Sequence, residues 1–189
     1  NDPDRGVMKF EYDDASNLLA TEDAKGQRIR YTYDGANRIR TEDYLDEGQP
    51  FSRNFTFNPS LPVSATNRAD VVYFYDTPLA RLDIGDGSVG TATNMMGKLA
   101  YVWDLSGEEH TSHDARDRVA WVVKRVRDPL HGQLVSYRTG FDYDNMDRVT
   151  GLTYPDNDAI GYRYNDRSLL QTSTGGPTGS IVSNLVYLP

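Results

Sequence analysis

The sequence predicts an all-β protein built from tandem β-hairpins. One short phrase recurs along the chain, and within each copy aromatic or β-branched residues alternate with polar ones. Proline is sparse inside the alternating runs, and no stretch repeats its apolar residues at the helical period, so helix content is expected to be very low.

The phrase first appears as YDDASNLLATED, residues 12–23, and again as YDGANRIRTED, residues 33–43; Tyr12 and Tyr33 are 21 positions apart. Its core is an aromatic, any residue, an aromatic, then Asp or Asn. The copies are Phe10-Tyr12-Asp13, Tyr31-Tyr33-Asp34, Phe55-Phe57-Asn58, Tyr73-Tyr75-Asp76, Tyr101-Trp103-Asp104, Phe141-Tyr143-Asp144 and Tyr162-Tyr164-Asn165. Steps of 21, 24, 18, 28, 40 and 21 residues separate them, so the unit is near 20 and some copies carry insertions. A weaker eighth start lies at Leu185 and Tyr187.

Each copy reads as strand, turn, strand. In RIRYTYD, Ile29, Tyr31 and Tyr33 share one face and Arg28, Arg30 and Thr32 the other. The Asp or Asn that follows can bond the backbone two residues on and so starts a tight turn. Six positions after the last aromatic comes an apolar residue that opens the return strand: Leu18, Ile39, Val63, Val149 and Leu170, with Val119 in the same place after His113. Just before it, Ser16, Asn37, Asp117 and Asp147 stand where the backbone must turn left-handed, which Asn and Asp tolerate better than most residues. A further turn is expected at DAKG, residues 23–26. Two segments depart from the short unit: a long loop or loosened hairpin near residues 85–97, and a long hairpin near residues 119–143 that turns at DPLHG, residues 128–132.

A chain of 189 residues suits one domain, here read as a single repeat array over residues 1–189. Its 13 tyrosines argue against disorder despite an apolar fraction of 38%. The net charge of −8 argues against nucleic acid and anionic membrane surfaces. Without cysteine there is no disulfide, thiolate metal site or cysteine nucleophile. No apolar run reaches the roughly 20 residues of a membrane helix, and no signal peptide is visible. The chain opens without Met and stops in what reads as mid-element sequence, so it is expected to be a piece of a longer protein.

Chemical sites were weighed against turns. His110 and His113 suggest a metal pair, but residues three apart on a strand face opposite ways. PDNDAIG, residues 155–161, and DIGDG, residues 83–87, resemble fragments of calcium loops, yet Arg167 occupies the position where such a loop places its bidentate acid. The acids of the two TED segments recur at the repeat period, which one glycosidase site would not require. No residue is assigned to catalysis, to a metal or to a cofactor, and an enzyme is not expected.

YTYDGANRIRTED, FDYDNMDRVTGLTYPD and TSHDARDRVAWV resemble the YD repeat of RHS proteins, with Ser, Asn or Asp replacing the usual glycine at positions 16, 37, 117, 147 and 168 and His113 in a tyrosine position. The resemblance implies a curved or spiralling β-sheet strip that forms part of a hollow shell, in a secreted or cell-surface protein. In bacterial toxin complexes and RHS toxins such a shell surrounds a C-terminal toxin; in teneurins it belongs to an extracellular adhesion protein. The implied partners are the remaining repeats of the parent chain, an enclosed toxin domain or a partner shell subunit. Unpaired end strands also imply self-association. On this reading the structural residues are Tyr12, Asp13, Tyr31, Tyr33, Asp34, Tyr73, Tyr75, Asp76, Trp103, Asp104, Tyr143, Asp144, Tyr162 and Tyr164. The alternative is an adhesion or carbohydrate-binding module in which exposed tyrosines and turn acids grip sugars. Burial of the tyrosine rings separates the two.

Overall fold

Aromatic and β-branched residues at period two fit a pleated surface, and each such run becomes a strand. The computed structural model describes residues 6–45, 69–176 and 179–187; the copy at Phe55-Phe57-Asn58 and its Val63 lie outside them. All regular structure among the described residues is strand, and every strand pairing is antiparallel. The strands are β1 (Lys9–Tyr12), β2 (Leu18–Glu22), β3 (Arg28–Tyr33), β4 (Ile39–Leu45), β5 (Val71–Tyr75), β6 (Leu82–Asp83), β7 (Val89–Gly90), β8 (Leu99–Trp103), β9 (Gly107–His113), β10 (Val119–Arg127), β11 (Leu134–Tyr143), β12 (Val149–Thr153), β13 (Ala159–Tyr164) and β14 (Leu170–Thr174).

The chain divides into two compact units, Asn1–Phe74 with Val102–Leu105, and Tyr75–Tyr101 with Ser106–Pro189. In the first, β1 through β5 follow one another as neighbours in chain order. Its buried apolar residues are few: Ala69, Val72 and Trp103 cluster, with Phe74 against them. In the second, β9 through β14 form the same kind of meander, and β6 pairs only with β7. There Ala92, Met95 and Ala100 are buried together, flanked by Tyr101 and Trp121. Residues 85–97 thus include β7 and two of these core residues.

Register is kept by a bulge at the end of each copy. The ladder slips by one residue at Glu11/Tyr12, Thr32/Tyr33, Asp142/Tyr143 and Arg163/Tyr164, and the last aromatic then faces the apolar residue six positions on: Tyr12 Leu18, Tyr33 Ile39, Tyr143 Val149, Tyr164 Leu170. His113 faces Val119 in the same way. This is the geometry of a three-residue hairpin loop closed by a left-handed residue. At the start of β9 the chains approach so closely that a Cβ on Gly107 would lie 1.8 Å from the Arg125 carbonyl oxygen, which only glycine avoids.

Candidate functional site

Asp13, the acid after Tyr12, holds its turn by four bonds to the backbone. The Asp13 backbone N–H donates to the Asn17 carbonyl at 3.0 Å, and Ser16 N–H donates back to the Asp13 carbonyl at 3.0 Å. Asp13 Oδ1 accepts from the N–H of Ala15 at 2.9 Å and of Asn17 at 2.8 Å. The same side-chain pattern recurs at Asp34, Asp114, Asp144 and Asn165. Asp23, in the predicted DAKG turn, does likewise. The residue three positions after the acid is left-handed in each: Ser16, Asn37, Asp117, Asp147 and Ser168 have φ between 59° and 66°, and Gly26 has 79°. Asp and Asn therefore do at these turns what their short polar side chains allow, and the positions expected to turn left-handed do so.

A second set of contacts joins one copy to the next. The Tyr33 hydroxyl donates to the Leu18 carbonyl at 2.9 Å, Tyr143 to Val119 at 2.9 Å, Tyr164 to Val149 at 2.7 Å and Tyr187 to Leu170 at 2.9 Å. Each acceptor is the first residue of the previous copy's return strand. The fourth bond gives Leu185 and Tyr187 the geometry of an eighth copy. In two of them an arginine just before that acceptor completes the clasp. Arg118 Nε donates to its own turn acid, Asp114, at 2.7 Å while its guanidinium lies 4.6 Å from the centre of the next copy's Tyr143 ring. Arg148 repeats this with Asp144, at 2.7 Å, and Tyr164, at 4.6 Å. A cation over a ring and a bidentate ion pair are both geometries that Arg serves better than Lys. The turns also touch: Asn17 donates to Asn37 at 3.1 Å, Lys98 to Asp117 at 2.7 Å and Arg118 to Asp147 at 2.8 Å, so the left-handed residue of one turn accepts from the turn before.

These bonds set the carboxyl affinities. The Asn17 side-chain amide holds the Asp13 carboxyl below its usual range, the Arg38 backbone N–H does so first for Asp34, and the Arg118 side chain for Asp114. For Asp144 burial pushes upward, but the Arg148 side chain and backbone outweigh it and the net direction is down.

The predicted residues fall into groups. Tyr33, Tyr143 and Tyr164, with Asp13, Asp34 and Asp144, lie in these turns and clasps. Tyr31, Tyr33, Tyr73, Tyr75, Tyr143, Tyr162 and Tyr164 are half-buried, whereas Tyr12 is 60% exposed. Tyr73 donates to Glu42 Oε1 at 2.6 Å rather than to a carbonyl. Asp76 keeps its turn across an insertion: its N–H donates to the Lys98 carbonyl at 3.0 Å, and its Oδ1 accepts from Gly97 N–H at 2.7 Å. Trp103 ends β8 and is buried beside Ala69 and Val72, and the turn bonds of the short unit recur on His113-Asp114. His113 stands in the tyrosine slot of that copy and faces Val119 across the ladder. The arginines of the clasp were visible only as the second letter of NR and DR; their return at positions 38, 118 and 148, always five after the aromatic slot, was the available signal.

The histidines do not converge. His110 is 1% exposed, with Nε2 at 2.9 Å from Glu108 Oε2, an oxygen that also accepts from Arg125 at 2.7 Å. The Tyr101 ring stacks on His110 at 4.8 Å, and burial first, then Glu108, pushes its hydroxyl up to about 12. Arg125 and Glu108 form a largely buried ion pair here, and among the described residues no three acids or histidines are grouped to hold a metal.

The geometry describes a hairpin that is chemically finished only by its neighbour. Residues 12–48 match the family model of the RHS repeat. That segment is an RHS repeat by this match. A likeness of fold covers nearly the whole chain: solved structures similar to it are the crystal structure of TcdB2-TccC3-TEV (14% identity, 99% of this chain and 9% of that chain, TM-score 0.71) and of TcdB2-TccC3 (14%, 97% and 9%, 0.71). The Photorhabdus luminescens Tc holotoxin pore is similar too (14%, 98% and 8%, 0.71). At such identity the likeness is one of fold, and the chain spans less than a tenth of those chains. No curated protein matches it in sequence.

Proposed function

We propose that this chain is a wall segment of an RHS shell: one continuous array of repeats, part of a longer secreted bacterial protein that encloses a C-terminal toxin. The carrying observation is the clasp. Tyrosines whose rings are half-covered and whose hydroxyls are bonded to the preceding copy serve to bind repeat to repeat, and a hairpin alone is marginal until neighbours cover it. That use leaves the clasp tyrosines little surface for a sugar, so the adhesion reading is the weaker one. Likeness over nearly the whole chain to toxin-complex proteins supports the shell, and the partners are then the flanking repeats and the enclosed segment. In this role the chain performs no catalysis.

Electron microscopy of the parent protein tests the reading. A hollow particle is expected, with the enclosed segment resistant to protease until Tyr143→Ala with Tyr164→Ala loosens the wall. A parent without an enclosed volume, or with the downstream segment cut at the same rate in both forms, overturns it.

A further inference from the structure

β10 and β11, of nine and ten residues, are the longest strands described, and their hairpin overhangs its neighbour. β12 pairs with β11 only over residues 140–143. Among the described residues, 134–139 therefore have a partner strand on one side only, β10. Asp83 and Gly85 pack against Ser136 and Arg138, with Ser136 Oγ donating to Asp83 at 3.1 Å. Along the other edge alternate backbone N–H and C=O groups have no partner strand. Beside this open edge lies a groove of about 470 Å³ lined by Ser136, Tyr137, Tyr154, Pro155, Asp156 and Asp158. Tyr137 and Tyr154 are 47% and 39% exposed, and unlike the clasp tyrosines neither hydroxyl has a partner among the described residues.

Tyr154 also breaks the rule of its turn. The backbone there is the familiar one: Tyr154 N–H donates to the Asp158 carbonyl, Asn157 N–H returns to the Tyr154 carbonyl, and Asn157 is left-handed at φ 67°. Asp13, Asp23, Asp34, Asp114, Asp144 and Asn165 all open such turns and tie down two backbone N–H groups. Tyrosine forgoes both bonds and places a ring in the groove instead. A natural sequence that breaks its own local rule marks a place where something other than folding is selected.

We infer that this ledge is a docking site for an extended, positively charged peptide segment that adds a strand to the free edge of β11. A row of unpaired strand groups is complementary to another backbone, which a sugar does not supply. Tyr137 and Tyr154 grip alternate side chains of the incoming strand. Asp156 and Asp158 each use Oδ1 to accept a backbone N–H, and their second oxygens, without partners among the described residues, face cations in a chain of net charge −8. The inference does not depend on the shell reading.

Fluorescence polarisation with a labelled hexapeptide alternating Lys and Val tests it, beside a Glu-Val peptide, a backbone N-methylated Lys-Val peptide and a neutral hexasaccharide. The Lys-Val peptide should bind most tightly, N-methylation should abolish binding, and Tyr137→Ala should weaken it about tenfold, as loss of an interface anchor does. Tyr154→Asn is the deciding variant: it restores the turn as Asn165 does, so it should raise the melting temperature while weakening the peptide. Asp156→Asn with Asp158→Asn should remove the preference for Lys over Glu. Equal binding of the N-methylated or Glu-Val peptide, tighter binding of the saccharide, or a lower melting temperature for Tyr154→Asn with peptide binding unchanged overturns the proposal.

Discussion

The copies around Tyr12 and Tyr143 are built from the same phrase, yet only one is complete. Both turns are intact: Asp13 and Asp144 each accept two backbone N–H bonds, and both ladders slip at the same place. The rings differ. Tyr143 has Arg118 over its face and the Val119 carbonyl on its hydroxyl, supplied by the copy before it. Tyr12 is 60% exposed and has neither partner among the described residues. The turn is therefore autonomous and the aromatic is not. A copy folds its own corner but borrows the cover for its ring.

Four experiments sharpen that contrast. Acid should produce the largest effect, because it strikes every turn of both regions at once. The carboxyls of Asp13, Asp34, Asp114 and Asp144 bind protons below the ordinary value of 3.8 in the folded state. Their contribution is fully present above that value and is lost as pH falls through the lowered ones, so a circular dichroism titration should show steady stability at neutral pH and a collapse below about 4. A midpoint that does not move between pH 5 and pH 2 would remove the carboxylates from the argument.

Next comes Tyr143→Ala, expected to cost about 2 kcal/mol in urea melts, roughly half the loss for a fully buried aromatic because this ring is half-covered. Tyr12→Ala should stay within about 0.5 kcal/mol, the range of an exposed substitution. Equal losses would break the comparison outright. Tyr143→Phe is smaller: it keeps the ring and strands the Val119 carbonyl, for about 1 kcal/mol. Smallest is Arg148→Lys, which keeps charge beside Asp144 but gives up the fork and the flat stack on Tyr164, for about 0.5 kcal/mol in the same melts.

Much of this fold was legible because its determinants are local. Alternation marked the strands, and Asp or Asn followed three residues later by Ser, Asn or Asp marked the turns, since one residue's φ and one side chain's reach decide them. What was not legible lies between copies. Tyr143 and Val119 are 24 positions apart, and nothing in either residue announces a hydroxyl-to-carbonyl bond. The β11 ledge was invisible for the same reason, because an overhang exists only once two hairpins of unequal length lie side by side.

The Asp76 turn carries a last consequence. It closes on Lys98 with the usual backbone bond although 21 residues intervene, among them two strands that pair only with each other. The corner thus behaves as a splice point: whatever enters there leaves the turn itself unchanged. Loop closure grows only logarithmically, about 0.6 kcal/mol for each doubling in length. A guest domain with neighbouring ends, grafted between Asp144 and Arg148, should be carried on the outside of the turn as cargo on a rail, and lineages of such proteins have an inexpensive way to acquire new surface modules.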